Sequence, residues 1–455
     1  MVNIFLITMA LFSNIKDLII KIIVLSFGEG FFNEISSGLK KHFVNITWSF
    51  AGRIISSAIG FFAGILVVRF LGPSKYGLLS YVVSFVGLFS FIASLGIDSI
   101  LYRDLIKFPE KRDQLLGTAF FLKLIGASFS ILLMVVISLF LNNDIYTTLL
   151  VLIIGLSLLF QSFNVISSYF QSIVLSKFPV IVLLLTGVFL SIFKILLVLF
   201  GVPLIWFAVI FLLEGVITAS GFVLIYFKNH FSIFDWKVNF SIGRELFMNA
   251  WPLIFSSAFA LIYSRIDQVF IKHMLNDTAV GIYDAAVRLS EIWYLVPAII
   301  AGSLFPAIVN AKKISEESYK NRIAKLYSLL IYLSFIMIIP LFILSDRVIL
   351  LLYGNEFILS AAVIRIYVWT GVSASVGTVM NYYLINENFI KLSLLFNLVG
   401  MLSNVILNII FIPLYGATGA ALATLISYSL VPIVIFFFKK TRDHGFLILR
   451  AFMFK

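Results

Sequence analysis

Apolar residues run along this chain in long stretches, each ended by a charge, a proline or a glycine. A hydrocarbon core about 30 Å thick takes roughly 20 apolar residues per helix. Twelve stretches of that order are present: 45–70, 76–97, 115–141, 145–171, 178–201 and 203–227 in the first half, then 247–274, 279–309, 323–345, 359–384, 390–412 and 416–438 in the second. Pro252, Pro297, Pro306 and Pro340 fall inside these runs, where membrane helices tolerate a kink because neighbours re-satisfy the freed carbonyls. The pattern predicts an all-α polytopic membrane protein of about twelve transmembrane helices. Ahead of them, residues 1–44 carry two apolar stretches, Ile4–Phe12 and Leu18–Phe27, split by Lys16 and Asp17 and each too short to span. That segment reads as an N-terminal extension holding an interfacial amphipathic helix. No basic residue precedes the first stretch and no small-residue cleavage site follows, which disfavours a signal peptide.

Composition agrees with a membrane class. Of 455 residues, 62% are hydrophobic and 12% charged, against about half and a quarter in soluble proteins. The formal charge of +12 would ordinarily raise nucleic acid as a partner, but the basic residues alternate with the loops, as topology signals do. Counting from an inside N-terminus, the inner connections hold Arg103, Lys107, Lys111 and Arg112; Lys177; Lys228, Lys237 and Arg244; Lys312, Lys313, Lys320, Arg322 and Lys325; Lys391; and Lys439, Lys440, Arg442, Arg450 and Lys455. The outer connections hold Arg69, Lys75, Lys272 and Arg347. Both termini are expected in the cytoplasm. Without cysteine there is no disulfide, thiolate metal site or cysteine nucleophile. His42, His230, His273 and His444 share no ligand spacing and read as surface residues.

The chain repeats itself. At an offset of 204, VRFLGPSKYGLLSY (68–81) overlies KHMLNDTAVGIYDA (272–285), with Gly77 matched to Gly281. Two six-helix lobes in the same orientation imply a pseudo-two-fold axis along the membrane normal, the parallel repeat that frames a central site in transporters. The boundaries follow: an extension 1–44, an N-lobe 45–228, a cytoplasmic linker 229–246, a C-lobe 247–438 and a basic tail 439–455.

An ionisable side chain inside the membrane costs about 2.5–3.5 kcal/mol on insertion scales and has to face a partner or a wet cavity. Asp284, Arg288 and Glu291 recur at i, i+4 and i+7 and share one helix face. Arg265 and Asp267 lie two residues apart on the preceding helix, and Arg53, Lys123, Glu214 and Arg365 complete the set. Cross-helix pairs such as Arg265 with Glu291 or Asp267 with Arg288 would neutralise some of these. So many ionisable groups over both halves point instead to a hydrated cavity. Arg53, Arg265, Arg288 and Arg365 are the candidate ligands, since a guanidinium binds two oxygens of an anionic diphosphate at once. Asp267, Asp284, Glu291 and Glu214 are the candidates for H⁺ or Na⁺ coupling. Asn397, Gly400, Asn404 and Asn408 share one face of the eleventh helix, where packing by interhelical hydrogen bonds is favoured over pore lining.

Three segments resemble the polysaccharide-biosynthesis flippases, the O-antigen unit translocases of the multidrug/oligosaccharidyl-lipid/polysaccharide exporter superfamily. They are WSFAGRIISSAIGFFAGILVVRFLGPSKYGLLSY (48–81), RIDQVFIKHMLNDTAVGIYDAAVRLSE (265–291) and IPLYGATGAALATLISY (412–428). The resemblance implies two lobes forming a V around a central basic cavity, rocking between inward-open and outward-open states. It implies as cargo an oligosaccharide on undecaprenyl diphosphate, with Arg53, Arg265, Asp267, Arg288 and Glu291 as cavity charges. A polysaccharide polymerase and a chain-length regulator would be partners, in a bacterial or archaeal cytoplasmic membrane, and no cofactor is called for. An ATP-driven pump is disfavoured by the lack of any Gly-Lys dipeptide for a phosphate-binding loop. A membrane glycosyltransferase or polymerase is disfavoured by the lack of paired Asp and of long outer loops. A cation-coupled drug exporter of the same superfamily shares the fold, and a peptidoglycan-precursor flippase differs only in cargo.

Overall fold

The computed structural model describes residues 29–452, with side chains from residue 59 onward apart from Ile390. Helices joined by short turns make up the described residues, and no strand occurs among them. In chain order these are α1 (Glu29–Ser94), α2 (Ile97–Lys107), α3 (Arg112–Phe140), α4 (Ile145–Gly155), α5 (Ser157–Gln161), α6 (Asn164–Ser172), α7 (Lys177–Leu199), α8 (Leu204–Lys228) and α9 (Phe240–Met274). There follow α10 (Asp277–Glu291), α11 (Leu295–Ala311), α12 (Glu316–Ile343), α13 (Ser345–Leu352), α14 (Ser360–Tyr367), α15 (Thr370–Asn386), α16 (Ile390–Tyr415), α17 (Ala417–Val434) and α18 (Arg442–Phe452). The expected interfacial segment falls in large part outside the described residues.

Among the described residues ten helices are long and apolar enough to cross a membrane, and α14 with α15 forms an eleventh, bent by 40°. The first of the ten, Ile59–Lys107, has 49 residues. A straight helix of that length would reach about 74 Å, more than twice the hydrocarbon thickness. It turns at Gly72, whose φ of 68° and ψ of 172° fall where only glycine sits without strain. The first two expected runs therefore lie on either side of Gly72, and the remaining ten expected runs each overlie one of the other spans.

The helices alternate between two ends, and contacts across the bundle identify them. At one end Asn143 donates to the Tyr81 hydroxyl at 2.9 Å, Tyr81 meets His273 at 3.2 Å, and Gly72 lies against Glu356. At the other, the Lys237 amide donates to the Asp113 carbonyl at 3.1 Å, and Lys312 pairs with Glu387 at 2.7 Å. The basic connections around 103–112, 228–244 and 312–325 share this second end, hereafter the basic end. The hydrophobic core divides in the same way. One cluster takes residues from both lobes toward the Gly72 end, with Tyr76, Leu79, Val82 and Phe85 packed among Val280, Tyr283, Ala286 and Phe357. Toward the basic end the core is two separate clusters, one built around Leu101, Leu116, Phe170 and Tyr226, the other around Phe305, Tyr327, Val379 and Ile435. The lobes are thus joined at one end and hold separate cores at the other, where only the start of α9, at Ala250 and Leu253, packs into the N-lobe core.

The stretch expected as a basic tail is folded in part. α18 docks on α12 and buries His444, Ile448 and Ala451. The His444 imidazole, expected at the surface, accepts or donates a 2.8 Å bond with the Tyr327 hydroxyl and stacks on Tyr383. Burial pushes its pKa down to about 3, so the ring is neutral at pH 7.

Candidate functional site

Where α1 and α10 face each other, a cavity of about 390 Å³ opens between the lobes, lined by Val83, Ser84, Gly87, Ser90, Leu261, Arg265, Asp284, Arg288 and Glu291. Its geometry follows from the repeat. Asp284, Arg288 and Glu291 on α10 stand one repeat offset from Ser80, Ser84 and Gly87 on α1. Equivalent faces of two equivalent helices therefore meet across the gap, one carrying charges and the other small or hydroxyl side chains. Small residues on α1 leave the volume that charged residues on α10 point into.

Every charge in the lining has a protein partner. The Asp284 carboxylate, almost wholly buried, receives bonds from the Tyr76 hydroxyl, from Ser80 Oγ at 2.8 Å and from Arg288 Nε at 2.8 Å, with Gln268 Nε2 at 3.4 Å. Those donors are what make its burial tolerable, since an unpaired carboxylate there would bear the full desolvation cost. The Arg288 guanidinium also lies 5.6 Å from the centre of the Tyr76 ring. Glu291 accepts a 2.7 Å bond from the Tyr367 hydroxyl and pairs with Arg265 at 3.6 Å. Two guanidinium groups and two carboxylates balance, so by count the lining is neutral, where the family resemblance implied a basic one. Exposure separates the signs: Arg288 and Arg265 keep 45% and 38% of their side-chain surface open, Asp284 and Glu291 only 3% and 22%. The cations are what the cavity presents.

Asp267 stands apart. It lies inside the C-lobe rather than in the cavity lining, and its partners are neutral: Tyr283 Oη at 2.5 Å, Thr424 Oγ1 at 2.5 Å and Asn408 Nδ2 at 2.7 Å. The Asp267–Arg288 pair suggested by the sequence does not form because Arg288 finds Asp284 one turn away on its own helix. Asn408 also donates to Asn404 Oδ1 at 2.9 Å, while its own Oδ1 is buried without a hydrogen-bond partner. Asn397 reaches Ser256 of α9 at 3.0 Å. The polar face of α16 therefore packs within the C-lobe.

Other sequence candidates lie elsewhere. Arg365 is near the end of α14, where it bonds Ser345 at 3.1 Å and pairs with Asp346, away from the cavity lining. Glu214 is exposed on α8 and is likewise absent from the lining. Arg53 lies outside the residues whose side chains are described. Lys123 is buried and bound to Asp98 at 2.6 Å, an intralobe pair. One residue escaped the reading of the sequence. Lys194, in the middle of the apolar α7, lies 5.9 Å from the Phe211 ring and within electrostatic range of Glu214 and Arg288, and among the described residues no carboxylate forms an ion pair with it. Its signal was in plain view: a lysine inside the apolar run Ile192–Phe200.

Comparisons with known proteins bear on this architecture. A family model described as polysaccharide biosynthesis protein matches residues 43–312. Two proteins of Haloferax volcanii are similar: a probable low-salt glycan biosynthesis flippase, Agl15, 28% identical over 197 residues covering 42% of this chain and 41% of that one, and a probable flippase, AglR, 29% identical over 178 residues covering 37% and 36%. The match thus spans about two-fifths of the length of these curated relatives. Among solved structures, the lipid II flippase MurJ in an inward closed conformation superposes with a TM-score of 0.68 at 18% identity, over 89% of this chain and 90% of that one. An inward-facing multidrug resistance MATE family transporter of the MOP superfamily superposes with a TM-score of 0.67 at 14% identity, over 87% and 96%. At such identities the likeness is one of fold, the twelve-helix two-lobe arrangement.

Proposed function

This chain belongs to the polysaccharide biosynthesis protein family, and from that membership we propose that it is a flippase carrying an undecaprenyl-diphosphate-linked oligosaccharide across the cytoplasmic membrane. The product would serve a surface polysaccharide such as O-antigen, capsule or exopolysaccharide, handed to a polymerase and chain-length regulator. The observation that carries the reading is the pair of exposed guanidinium groups, Arg265 and Arg288, in a cavity between the lobes. A diphosphate offers each planar guanidinium a pair of oxygens to bind bidentately. A volume of about 390 Å³ suits a diphosphate with its first sugar, and the remaining sugars would extend toward the basic end, where the lobes have separate cores.

Basic loops gathered at that end support placing it in the cytoplasm, with both termini. The lobes, joined at the Gly72 end, then form an inward-facing state, and transport is a rocking of one lobe against the other around the fixed site. Asp267 is the carboxylate best placed for H⁺ or Na⁺ coupling: buried among the neutral side chains of Tyr283, Asn408 and Thr424, it has no fixed cation among the described residues, and the unpartnered Asn408 oxygen is the kind of ligand a hard cation takes. The carboxylates of the cavity would favour a cationic drug as cargo, but Asp284 is covered by its own donors while the arginines stay open. No chemical step on the cargo is part of this reading.

The test is reconstitution in liposomes with a fluorescent-sugar undecaprenyl diphosphate and an impermeant quencher. A flippase raises the quenched fraction from about half, the outer leaflet's share, toward completeness. A fraction that stays at half with correctly inserted protein overturns the proposal.

A further inference from the structure

The carboxylate of Asp284 does more than balance Arg288. It belongs to the C-lobe, yet two of its donors, Tyr76 and Ser80, belong to the N-lobe. These bonds cross between the lobes just above the cavity, beside the Gly77–Gly281 crossing. All three close donors, Tyr76, Ser80 and Arg288, converge on one oxygen, Oδ2, while Oδ1 has only Gln268 at 3.4 Å. An oxygen with about two lone pairs cannot serve three donors equally. Of the three, Arg288 alone is substantially exposed to the cavity. It is the donor that an anion entering the cavity can take.

We infer that Tyr76, Ser80 and Asp284 form a latch holding the lobes together at the Gly72 end, and that an anionic diphosphate releases it by drawing Arg288 away from Asp284. Without its guanidinium, Asp284 is a buried carboxylate held only by neutral donors. Separation of the lobes, which breaks the Tyr76 and Ser80 bonds and lets water reach the carboxylate, relieves that burial. Cargo capture and opening of the far gate are thereby one event, and an empty carrier stays shut at that end. The three residues act as positioning residues; of the four that meet at this point, Arg288 is the one that touches cargo. The identity of the releasing anion rests on the reading given above, whereas the latch itself rests on the geometry alone.

The absence of cysteine makes Lys75→Cys with Asn355→Cys a clean pair for spin labels at exposed sites on facing lobes near the Gly72 end. In empty proteoliposomes Tyr76→Phe and Ser80→Ala each reduce the ratio of short-distance to long-distance populations roughly three- to tenfold, the scale of one lost hydrogen bond. Gln268→Met, which removes a donor of the same lobe, leaves that ratio unchanged, separating a latch from general loosening. Farnesyl diphosphate, the probe anion, shifts the unmodified latch toward the long distance and shifts Asp284→Asn far less, because that variant begins open. Unchanged distances in Tyr76→Phe and Ser80→Ala overturn the latch whatever the cargo. Farnesyl diphosphate that binds but leaves the short distance intact overturns release by the anion. A failure of farnesyl diphosphate to bind at all counts against the cargo reading above, while the unliganded shifts still support the latch.

Discussion

Gly77 and Gly281 touch each other across the lobe interface: a Cβ built on Gly77 would lie 2.7 Å from the Gly281 nitrogen, and one built on Gly281 would lie 3.1 Å from the Gly77 nitrogen. They are also the glycines that the internal repeat superimposes. A residue in contact with its own repeat counterpart lies close to the axis that relates the two halves, so this crossing marks where the pseudo-two-fold passes. One step further along the same helices, Ser80 donates to its own counterpart, Asp284.

The crossing leaves no room for a methyl group. A Cβ on Gly77 would also sit 1.8 Å from the Asp277 carbonyl oxygen, and one on Gly281 would sit 2.0 Å from that of Pro73, backbone atoms that cannot rotate aside. Gly77→Ala and Gly281→Ala are expected to insert normally and to hold the lobes apart at this end. Turnover in liposomes should fall at least about tenfold, corresponding to a penalty of roughly 1.4 kcal/mol or more on the closed state. Near-normal turnover in both variants would show that the lobes never need to close this tightly.

Sidedness is open to a direct check. With single cysteines replacing Lys313 and Lys75, an impermeant maleimide applied to intact cells should label the second and spare the first until the cells are broken. The opposite pattern inverts the topology and turns the joined end of the lobes toward the cytoplasm.

Lys194 gives the N-lobe a cation facing the same region as Arg288. Its charge is held in an apolar helix with a ring at 5.9 Å and Glu214 within electrostatic range but not in an ion pair, so a diphosphate would be its natural counter-ion. Lys194→Gln is predicted to weaken binding of farnesyl diphosphate by about tenfold, as expected for one charge-assisted hydrogen bond, without lowering thermal stability. Unaltered affinity would assign the lysine to Glu214 alone.

The membrane fold was legible because each span announces itself as a long apolar run, and the repeat was legible because Gly77 and Gly281 sit at matched turns. What hydropathy lacks is direction around the helix axis. Arg365 and Glu214 are as rare in apolar runs as Arg265, yet one turns to Asp346 and the other is exposed on α8 without joining the cavity lining. The Arg265–Glu291 pairing was foreseeable from opposite charges on adjacent helices. The seal around Asp267 was not, because its partners Tyr283, Asn408 and Thr424 are neutral and come from three helices. His444 was misread as surface because nothing in eleven residues of mixed polarity foretells that they fold back onto α12.

Lys123 and Asp98 test whether a buried cation in this bundle is structural. Lys123 is almost wholly inaccessible and Asp98 is half exposed, so removing the acid strands the lysine. Asp98→Asn should cost about 3 kcal/mol, the lower range for breaking a buried pair, seen as a lower melting temperature in detergent. Changing both, in Asp98→Asn with Lys123→Met, should recover much of that loss. If the double variant is as unstable as the single one, the lysine has a partner other than Asp98.

Asp267 raises the question of what drives the cycle. Its carboxylate shares a sealed pocket with Thr424, Asn404 and Asn408, and the Asn408 side-chain oxygen points at no donor. A neutral hydrogen-bonded core would have satisfied that oxygen, as nearly all buried acceptors are, whereas a cation would use it together with the carboxylate. In the proposed reading cargo binds Arg265 and Arg288 in the cavity, whose lining does not include Asp267, so loss of the Asp267 charge should separate coupling from binding. Asp267→Asn is expected to keep its affinity for farnesyl diphosphate while transport no longer responds to an imposed Na⁺ or pH gradient. Should the variant respond as strongly as the parent, Glu291, the more exposed of the two cavity carboxylates, becomes the group through which the gradient must act.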